Sequence, residues 1–146
     1  METVQIVKIN LVREKSMNLT YGINISSPED AEKAFREYIG DSDREVFAVM
    51  TLNNRHSITS LTTVSIGSLN SCVVHPREVF KTAILSNAES IVLCHNHPSG
   101  ECQPSSEDIA ATSRMQEAGK ILGIQVLDHI ILGDEKFTSM KLANLM

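Results

Sequence analysis

Two histidines and an aspartate in this sequence are spaced as the ligands of a metal ion would be. His95 and His97 follow the apolar stretch 90–94 (SIVLC), which has the composition of a strand buried on both faces. Side chains two residues apart at the end of a strand point in the same direction, so both imidazoles face one place. Asp108 lies in the first turn of a predicted helix, after a stiff loop that contains two prolines and a glycine. Imidazole and carboxylate groups suit zinc, and three such ligands leave a fourth position for water, so the pattern predicts one catalytic zinc ion per chain.

Ser105 and Asp108 also fit a helix N-terminus that needs no metal. In that interpretation Ser105 is the N-cap, and Asp108, three residues further on, completes a capping arrangement. The two interpretations are compatible, because Asp108 can bind a metal while Ser105 caps the helix. The paired histidines favour a metal site, since a buried imidazole needs partners for both of its nitrogens.

The elements that would position these residues can be predicted from hydrophobic periodicity, helix caps and turn residues. They are a strand at 4–12, an irregular connection at 13–26, a helix from the N-cap Ser27 to Gly40, strands at 45–52 and 57–66 joined by a turn at Asn53-Asn54, a helix from Pro76 to Asn87, a strand at 90–94, a helix from Ser105 to Gly123, a strand at 124–132 and, after a turn at Gly133-Asp134, a strand at 136–139. This alternation predicts an α/β fold, with a mixed sheet and helices on both of its faces.

The composition is that of one compact domain and excludes several classes of protein. The chain has 146 residues, of which 42% are apolar and 21% charged, as in ordinary globular proteins. Its net charge of −5 argues against direct binding of nucleic acid, which depends on Lys and Arg. No stretch is long and apolar enough to cross a membrane, and the first ten residues do not form a signal peptide, so we expect no membrane association. The cysteines Cys72, Cys94 and Cys102 are odd in number and form no CxxC pair, which predicts a reducing, cytoplasmic location.

Several separate stretches resemble one known family. HNHPSG at 95–100 and PSSED at 104–108 are similar to the JAMM (MPN-plus) metalloprotease motif, and VHPREVF at 74–80 and VLDHIILG at 126–133 resemble its RadC branch. The resemblance covers about residues 40–146 and implies a JAB/MPN domain, a three-layer α/β fold similar to that of cytidine deaminases. Residues 1–39 would add an N-terminal strand and helix to the same domain. Longer RadC proteins carry a helix–hairpin–helix region that nothing here resembles, so we expect a short form to which the DNA-repair label transfers poorly.

The resemblance also implies a role for each site residue. The zinc ligands would be His95, His97 and Asp108, the oxyanion-stabilising serine would be Ser105, and the catalytic glutamate would be Glu45. The implied activity is zinc-dependent hydrolysis of an amide bond, peptide or isopeptide, in a protein or peptide substrate. Spacing alone does not select the acid/base residue and leaves open other acidic residues, namely Glu37, Asp43, Glu78 and Glu101.

Other residues near the motif either belong to the site or have a structural role. Asp128 and His129 either contact and orient a ligand histidine or form a polar pair at a sheet edge, and the sequence leaves both open. Cys102 lies in the loop and either adds a thiolate ligand or does not contact the metal. The three harder ligands already in place favour the second interpretation. Cys94 precedes His95 on a strand and therefore faces away from it, into the core. His75 stands before a proline and is predicted to enter a helix.

The sequence also bears on functions other than that of a hydrolase. A non-catalytic JAB-type binding module would lack one of the ligands, and none is missing. The RadC resemblance also implies, as an alternative, a DNA-repair-associated factor. The letters HNH at 95–97 do not indicate an HNH nuclease, whose residues are spread over a larger ββα unit. A zinc deaminase needs H-x-E and P-C-x-x-C, which the sequence lacks. The substrate and the oligomeric state are left open, and an oligomer is compatible with the sequence.

Overall fold

The computed structural model describes residues 1–67 and 74–146. The helices and strands within these ranges are α1 (Pro28–Ile39), β1 (Val46–Leu52), β2 (Ile58–Ile66), α2 (Pro76–Leu85), β3 (Ser90–Asn96), α3 (Ser106–Leu122), β4 (Gln125–Leu132) and β5 (Phe137–Ser139). From residue 27 onward the predicted elements are all present, with ends that differ by about two residues at most. The predicted α/β fold with a mixed sheet is therefore confirmed.

The five strands form one sheet in the order β2-β1-β3-β4-β5. β3 lies in the centre, antiparallel to β1 and parallel to β4, and α3 is the crossover connection between the two parallel strands. Since β1 and β3 run in opposite directions with Phe47 opposite His95, the residue before β1 lies beside the residues at the end of β3. This register determines which distant residues can join the histidines.

Helices cover both faces of the sheet, as the sequence predicts. Ile91 and Leu93 on β3 face the core that contains α2 and α3, whereas Val92 and Cys94 face the core that contains α1. Because side chains alternate along a strand, His95 continues the face of Ile91 and Leu93 and points toward α3. Cys94 is fully buried on the opposite side, which confirms that it packs in the core away from His95.

Local hydrogen bonds explain where α1 begins and how it is tied to the sheet. Ser27 and Asp30 form a reciprocal capping box, and Pro28 occupies the first turn. Near its end, the Arg36 guanidinium donates to the backbone carbonyls of Gly133, Asp134 and Lys136 at distances of 3.0, 3.1 and 3.0 Å. The helix therefore holds the turn after β4, which borders the loop of the candidate site.

The prediction of a strand at 4–12 is wrong. Residues 1–18 form neither helix nor strand, and their apolar side chains are exposed to solvent, Val4 at 86% and Ile6 at 100%. β-branched residues favour extended backbone, but a strand also needs a neighbour for its backbone hydrogen bonds, and no described strand pairs with this segment. The chain first pairs with the sheet at an isolated bridge between Asn24 and Ser57, in the segment predicted to be irregular.

The turn between β1 and β2 also differs from the prediction. The residue with positive φ is His56, at 58°, and not an asparagine. The Asn53 side chain instead accepts hydrogen bonds from the backbone N–H groups of Arg55 and Ser57, at 2.9 and 3.0 Å. This local cap closes a longer loop than the two-residue turn that Asn53-Asn54 suggested.

The cysteines and the helices bear on the predictions about compartment and membrane. Cys94 and Cys102 are free thiols, and Cys72 lies outside the described residues. Among the helices of residues 1–67 and 74–146, none is both long enough and apolar enough to cross a membrane.

Candidate metal centre

Four of the predicted site residues meet at the end of β3. Glu45, His95, His97 and Asp108 each offer one ligand atom, and these atoms all lie within 4.8 Å of one another. The Nε2 atoms of His95 and His97 are 3.0 Å apart. The two oxygens of Asp108 lie 3.3 Å from His95 Nε2 and 3.4 Å from His97 Nε2, and a Glu45 oxygen lies 3.9 Å from His95 Nε2. The cluster could therefore hold a metal ion.

Glu45 is positioned by the residue between the two histidines. The Asn96 side chain accepts the backbone N–H of Val46 at 2.7 Å and donates to the backbone carbonyl of Arg44 at 3.0 Å. The backbone on each side of Glu45 is thus held against β3, while its side chain remains 16% exposed. Sequence analysis missed Asn96, although a polar residue at the end of an apolar strand is a signal of such a bond.

The first turn of α3 places Asp108 and Ser105 in one compact arrangement. The Ser105 hydroxyl oxygen accepts the Asp108 backbone N–H at 3.0 Å, and the Asp108 carboxylate accepts the Ser105 backbone N–H at 2.9 Å. This is the capping box that the spacing suggests, and it coexists with the approach of the carboxylate to both histidines. Ser105 itself is exposed, and its role toward a substrate stays a prediction.

The loop after β3 orients His97. His97 Nδ1 lies 3.1 Å from the backbone carbonyl of Glu101, which can only accept, so Nδ1 carries the proton and Nε2 faces the cluster. The loop is closed by Gly100, whose φ is +89°. A Cβ added there would lie 2.3 Å from the Asp134 carboxylate, so only glycine fits without displacing its neighbour.

His129 and Asp128 separate into different environments. His129 is buried, and its Nε2 lies 2.8 Å from His95 Nδ1, so it contacts a candidate ligand from behind. The Asp128 carboxylate binds the Ser139 hydroxyl and the backbone N–H groups of His129 and Lys141. Within the described residues, therefore, His129 alone of the pair has a side-chain hydrogen bond to the candidate ligands.

The remaining candidates lie outside the cluster. Glu101 forms an ion pair with Lys136 at 2.8 Å and contributes only its carbonyl to the site. Glu78 pairs with Lys81 on the surface, and His75 is the N-cap residue of α2, as predicted. The other residues considered as acid/base or ligand, also outside the group of convergent donor atoms, are Glu37, Asp43 and Cys102.

Burial and close charges set the protonation of the cluster. Burial raises the pKa of Glu45, and the nearby histidines offset this only in part. Burial also raises the pKa of Asp108, but the close contacts of its oxygens with the His95 and His97 imidazoles outweigh it, so the net pKa lies well below the ordinary value. The Asp108 carboxylate raises the pKa of His97. Asp108 is thus held as an anion, and the Glu45 carboxylate has an increased proton affinity.

A cavity of about 240 Å³ opens beside His97. Its lining includes Arg36, Ser42, Asn96, Leu132 and Asp134. Of the four residues of the cluster, His97 lines this cavity.

The donor set could hold a metal ion by its chemistry. It combines two imidazole nitrogens with a carboxylate, and at least His97 presents an unprotonated nitrogen in its neutral form. The protein therefore has an α/β fold with a mixed sheet, and its candidate metal centre lies at the end of the central strand. Over residues 25–145 the chain matches the family model described as the RadC-like JAB domain. The chain belongs to this family.

Similar proteins share only part of their length with this chain. It is 53% identical over 122 residues to a "UPF0758 protein" of Desulforamulus reducens, 46% over 135 residues to one of Alkaliphilus metalliredigens, and 49% over 117 residues to one of Desulfitobacterium hafniense. These alignments cover 84%, 90% and 80% of this chain but 54%, 58% and 52% of the relatives. The chain therefore spans a little over half the length of these relatives, and their names state no activity.

Proposed function

We propose that this chain is a zinc-dependent hydrolase of amide bonds, peptide or isopeptide, in a protein or peptide substrate. The observation that carries the proposal is the convergence of four donor atoms, from Glu45, His95, His97 and Asp108, within 4.8 Å of one another. Membership of the RadC-like JAB domain family supports it, because the residues of the JAMM-like motif are the residues that converge.

Three of these residues would hold the metal and the fourth would act on water. His95 Nε2, His97 Nε2 and the Asp108 carboxylate supply the ligand set of a catalytic zinc site with one position left for solvent. When bound there, zinc lowers the pKa of water toward about 7 and polarises a carbonyl group. Glu45 lies farther from the histidines than Asp108 does, which suits a base rather than a ligand.

Glu45 transfers the proton, and Ser105 stabilises the negative charge on the carbonyl oxygen. The Glu45 carboxylate accepts a proton from the attacking water and transfers it to the nitrogen of the leaving amine. The Ser105 hydroxyl donates to the carbonyl oxygen as negative charge develops on it, assisted by the positive N-terminus of α3. Burial, which raises the pKa of Glu45, makes its carboxylate a stronger acceptor of the water proton.

The metal assignment is tested by zinc content. We expect about one zinc per chain in the wild type and strong loss in His97→Ala and Asp108→Ala, since each removes one ligand. His75→Ala is the matched control, because His75 is exposed and lies outside the cluster. Elemental analysis of the purified chains checks this. Full zinc occupancy in both ligand variants would show that the assignment is wrong.

Catalysis is tested by Glu45→Gln, which keeps the size of the side chain and cannot accept the proton. Zinc content and melting temperature should stay near the wild type, while hydrolysis should fall by a factor on the order of 10²–10⁴. Glu78→Gln, on the surface of α2, should have no effect. Substrates are found by mass spectrometry of a proteome incubated with the wild type or with Glu45→Gln.

Two outcomes would contradict the proposed mechanism. Wild-type turnover in Glu45→Gln would exclude Glu45 as the base and leave the metal site standing. A zinc-loaded wild type that produces no new peptide termini and releases no isopeptide-linked group would favour a non-catalytic JAB-type binding module.

A further inference from the structure

A chain of buried hydrogen bonds runs behind His95, away from the candidate metal. His95 Nδ1 lies 2.8 Å from His129 Nε2, and His129 Nδ1 lies 2.6 Å from the hydroxyl of Thr112. That hydroxyl lies 2.7 Å from the backbone carbonyl of Asp108. The three side chains are almost inaccessible to solvent, with exposed fractions of 1% for His95, 1% for His129 and 0% for Thr112. Bulk solvent therefore does not reach these hydrogen bonds.

The backbone carbonyl of Asp108 determines where the protons of Thr112, His129 and His95 lie. A carbonyl oxygen has no proton, so the Thr112 hydroxyl is the donor in its 2.7 Å contact with Asp108. The Met140 sulfur, 3.4 Å from the same hydroxyl, can also only accept. The hydroxyl oxygen then accepts from His129, which places the proton of that imidazole on Nδ1. The Nε2 atom of His129 is left as an acceptor for His95, whose proton is then on Nδ1 as well. This is the arrangement that satisfies all three contacts.

The consequence for His95 is that its Nε2 carries a lone pair directed at the cluster. His97 reaches the same state through its own bond to the Glu101 carbonyl. Two lone pairs then face each other across 3.0 Å, with the Asp108 carboxylate beside them. Such an arrangement is favourable only around a cation. The buried hydrogen bonds therefore prepare His95 for metal binding, and the Glu101 carbonyl prepares His97.

We propose that Thr112 and His129 are positioning residues that hold His95 in its metal-binding tautomer, so that zinc affinity depends on a threonine that never touches the metal. These hydrogen bonds also connect two candidate ligands on different elements, because they begin at His95 on β3 and end at the backbone of Asp108 on α3. The inference rests on the metal site of the proposed function and not on its hydrolytic step.

A purely structural role for Thr112 makes a different prediction. If the hydroxyl only filled space in the core, the isosteric Thr112→Val would bind zinc as the wild type does. Thr51 offers a matched control, because it is also fully buried and its hydroxyl is bonded to Thr59 and Ser60 at 2.7 and 2.6 Å, on β1. Thr51→Val removes a buried hydroxyl outside the chain behind His95.

The first experiment measures zinc affinity by competition with a chromophoric chelator. Thr112→Val should bind zinc about 10- to 100-fold more weakly, whereas Thr112→Ser, which keeps the hydroxyl, should stay close to the wild type. Thr51→Val should keep wild-type affinity. Wild-type affinity in Thr112→Val, or an equal loss in Thr51→Val, would overturn the inference.

The second experiment needs neither metal nor a variant. Long-range ¹⁵N–¹H correlation spectra of the metal-free wild type, at a pH well above the ordinary histidine value of about 6.5, distinguish the two imidazole tautomers. Protons on Nδ1 of both His95 and His129 support the inference, and a proton on His95 Nε2 overturns it. The result stands even if Thr112→Val fails to fold. A chain with the expected tautomers and no hydrolysis would contradict only the proposed function.

Discussion

At the scale of single residues, Ser105 has two tasks that do not compete for the same atom. Its hydroxyl oxygen accepts the backbone N–H of Asp108, and this bond leaves the hydroxyl proton available to a substrate oxygen. The cap and the proposed oxyanion contact can therefore operate together. A single substitution removes both, so stability and turnover must be measured side by side.

We expect Ser105→Ala to lose about 1 kcal/mol of stability and on the order of 10²-fold in turnover. Ser27→Ala is a matched control, because Ser27 forms the same capping box at α1. Urea unfolding should show similar losses for both variants, while turnover should fall only in Ser105→Ala. Equal turnover in the two variants would contradict a role for Ser105 in catalysis.

At the scale of elements, the site depends on how α3 and the two strands β1 and β3 meet. β3 carries the histidines at its end, β1 begins beside them because the two strands are antiparallel, and α3 starts with Asp108 in its first turn. Each element end is secured by a specific bond, such as that of Asn96 to the backbone around Glu45. On the opposite face of the sheet, α1 begins with the same kind of capping box as α3.

The cap of α1 predicts a dependence of stability on pH. Hydrogen bonds from the backbone N–H and hydroxyl of Ser26 lower the pKa of Asp30 below its ordinary value of 3.8. A lowered folded-state pKa stabilises the protein above pH 3.8, and the stabilisation is lost as pH falls through the folded value. We expect Asp30→Asn to reduce stability at pH 7 by on the order of 0.5 kcal/mol.

The difference between wild type and Asp30→Asn should shrink as the pH is lowered below about 4. Urea unfolding at a series of pH values measures it. Glu29→Gln controls for the general effect of an acid in the first turn, because Glu29 lies in the same turn of the helix. A difference that is constant across this range would show that the Asp30 charge does not stabilise the cap.

At the scale of the whole molecule, charge limits the partners that the chain can bind. It has 13 basic and 18 acidic residues, and its net charge is −5. Binding to duplex DNA draws most of its non-specific free energy from neutralised phosphates and therefore needs a basic surface. This argument concerns the 146-residue chain, which spans only part of its relatives.

We predict no salt-sensitive binding of this chain to duplex DNA at physiological ionic strength. Fluorescence anisotropy with a labelled duplex, at two salt concentrations, measures it. A micromolar affinity that weakens steeply with added salt would contradict the prediction and support a factor associated with DNA repair.

The sequence by itself determined the local features of this protein. The helix caps at Ser27 and Ser105 depend on hydrogen bonds within a few residues. The shared direction of His95 and His97 depends on side-chain alternation along one strand. The residues that form these features are close together in the sequence, so the sequence alone predicts them. The JAMM-like pattern could therefore be identified along the chain, although only the family resemblance selected Glu45 among the acidic residues.

Only the tertiary structure decided which distant residues complete the site. Glu45 approaches His95 because β1 and β3 pair in one particular register, and Thr112 meets His129 because α3 packs against β4. Register and packing depend on the combined fit of the whole core, which no short segment contains. For the same reason the β-branched residues 4–12 remain exposed, since a strand forms only where the fold supplies a neighbouring edge.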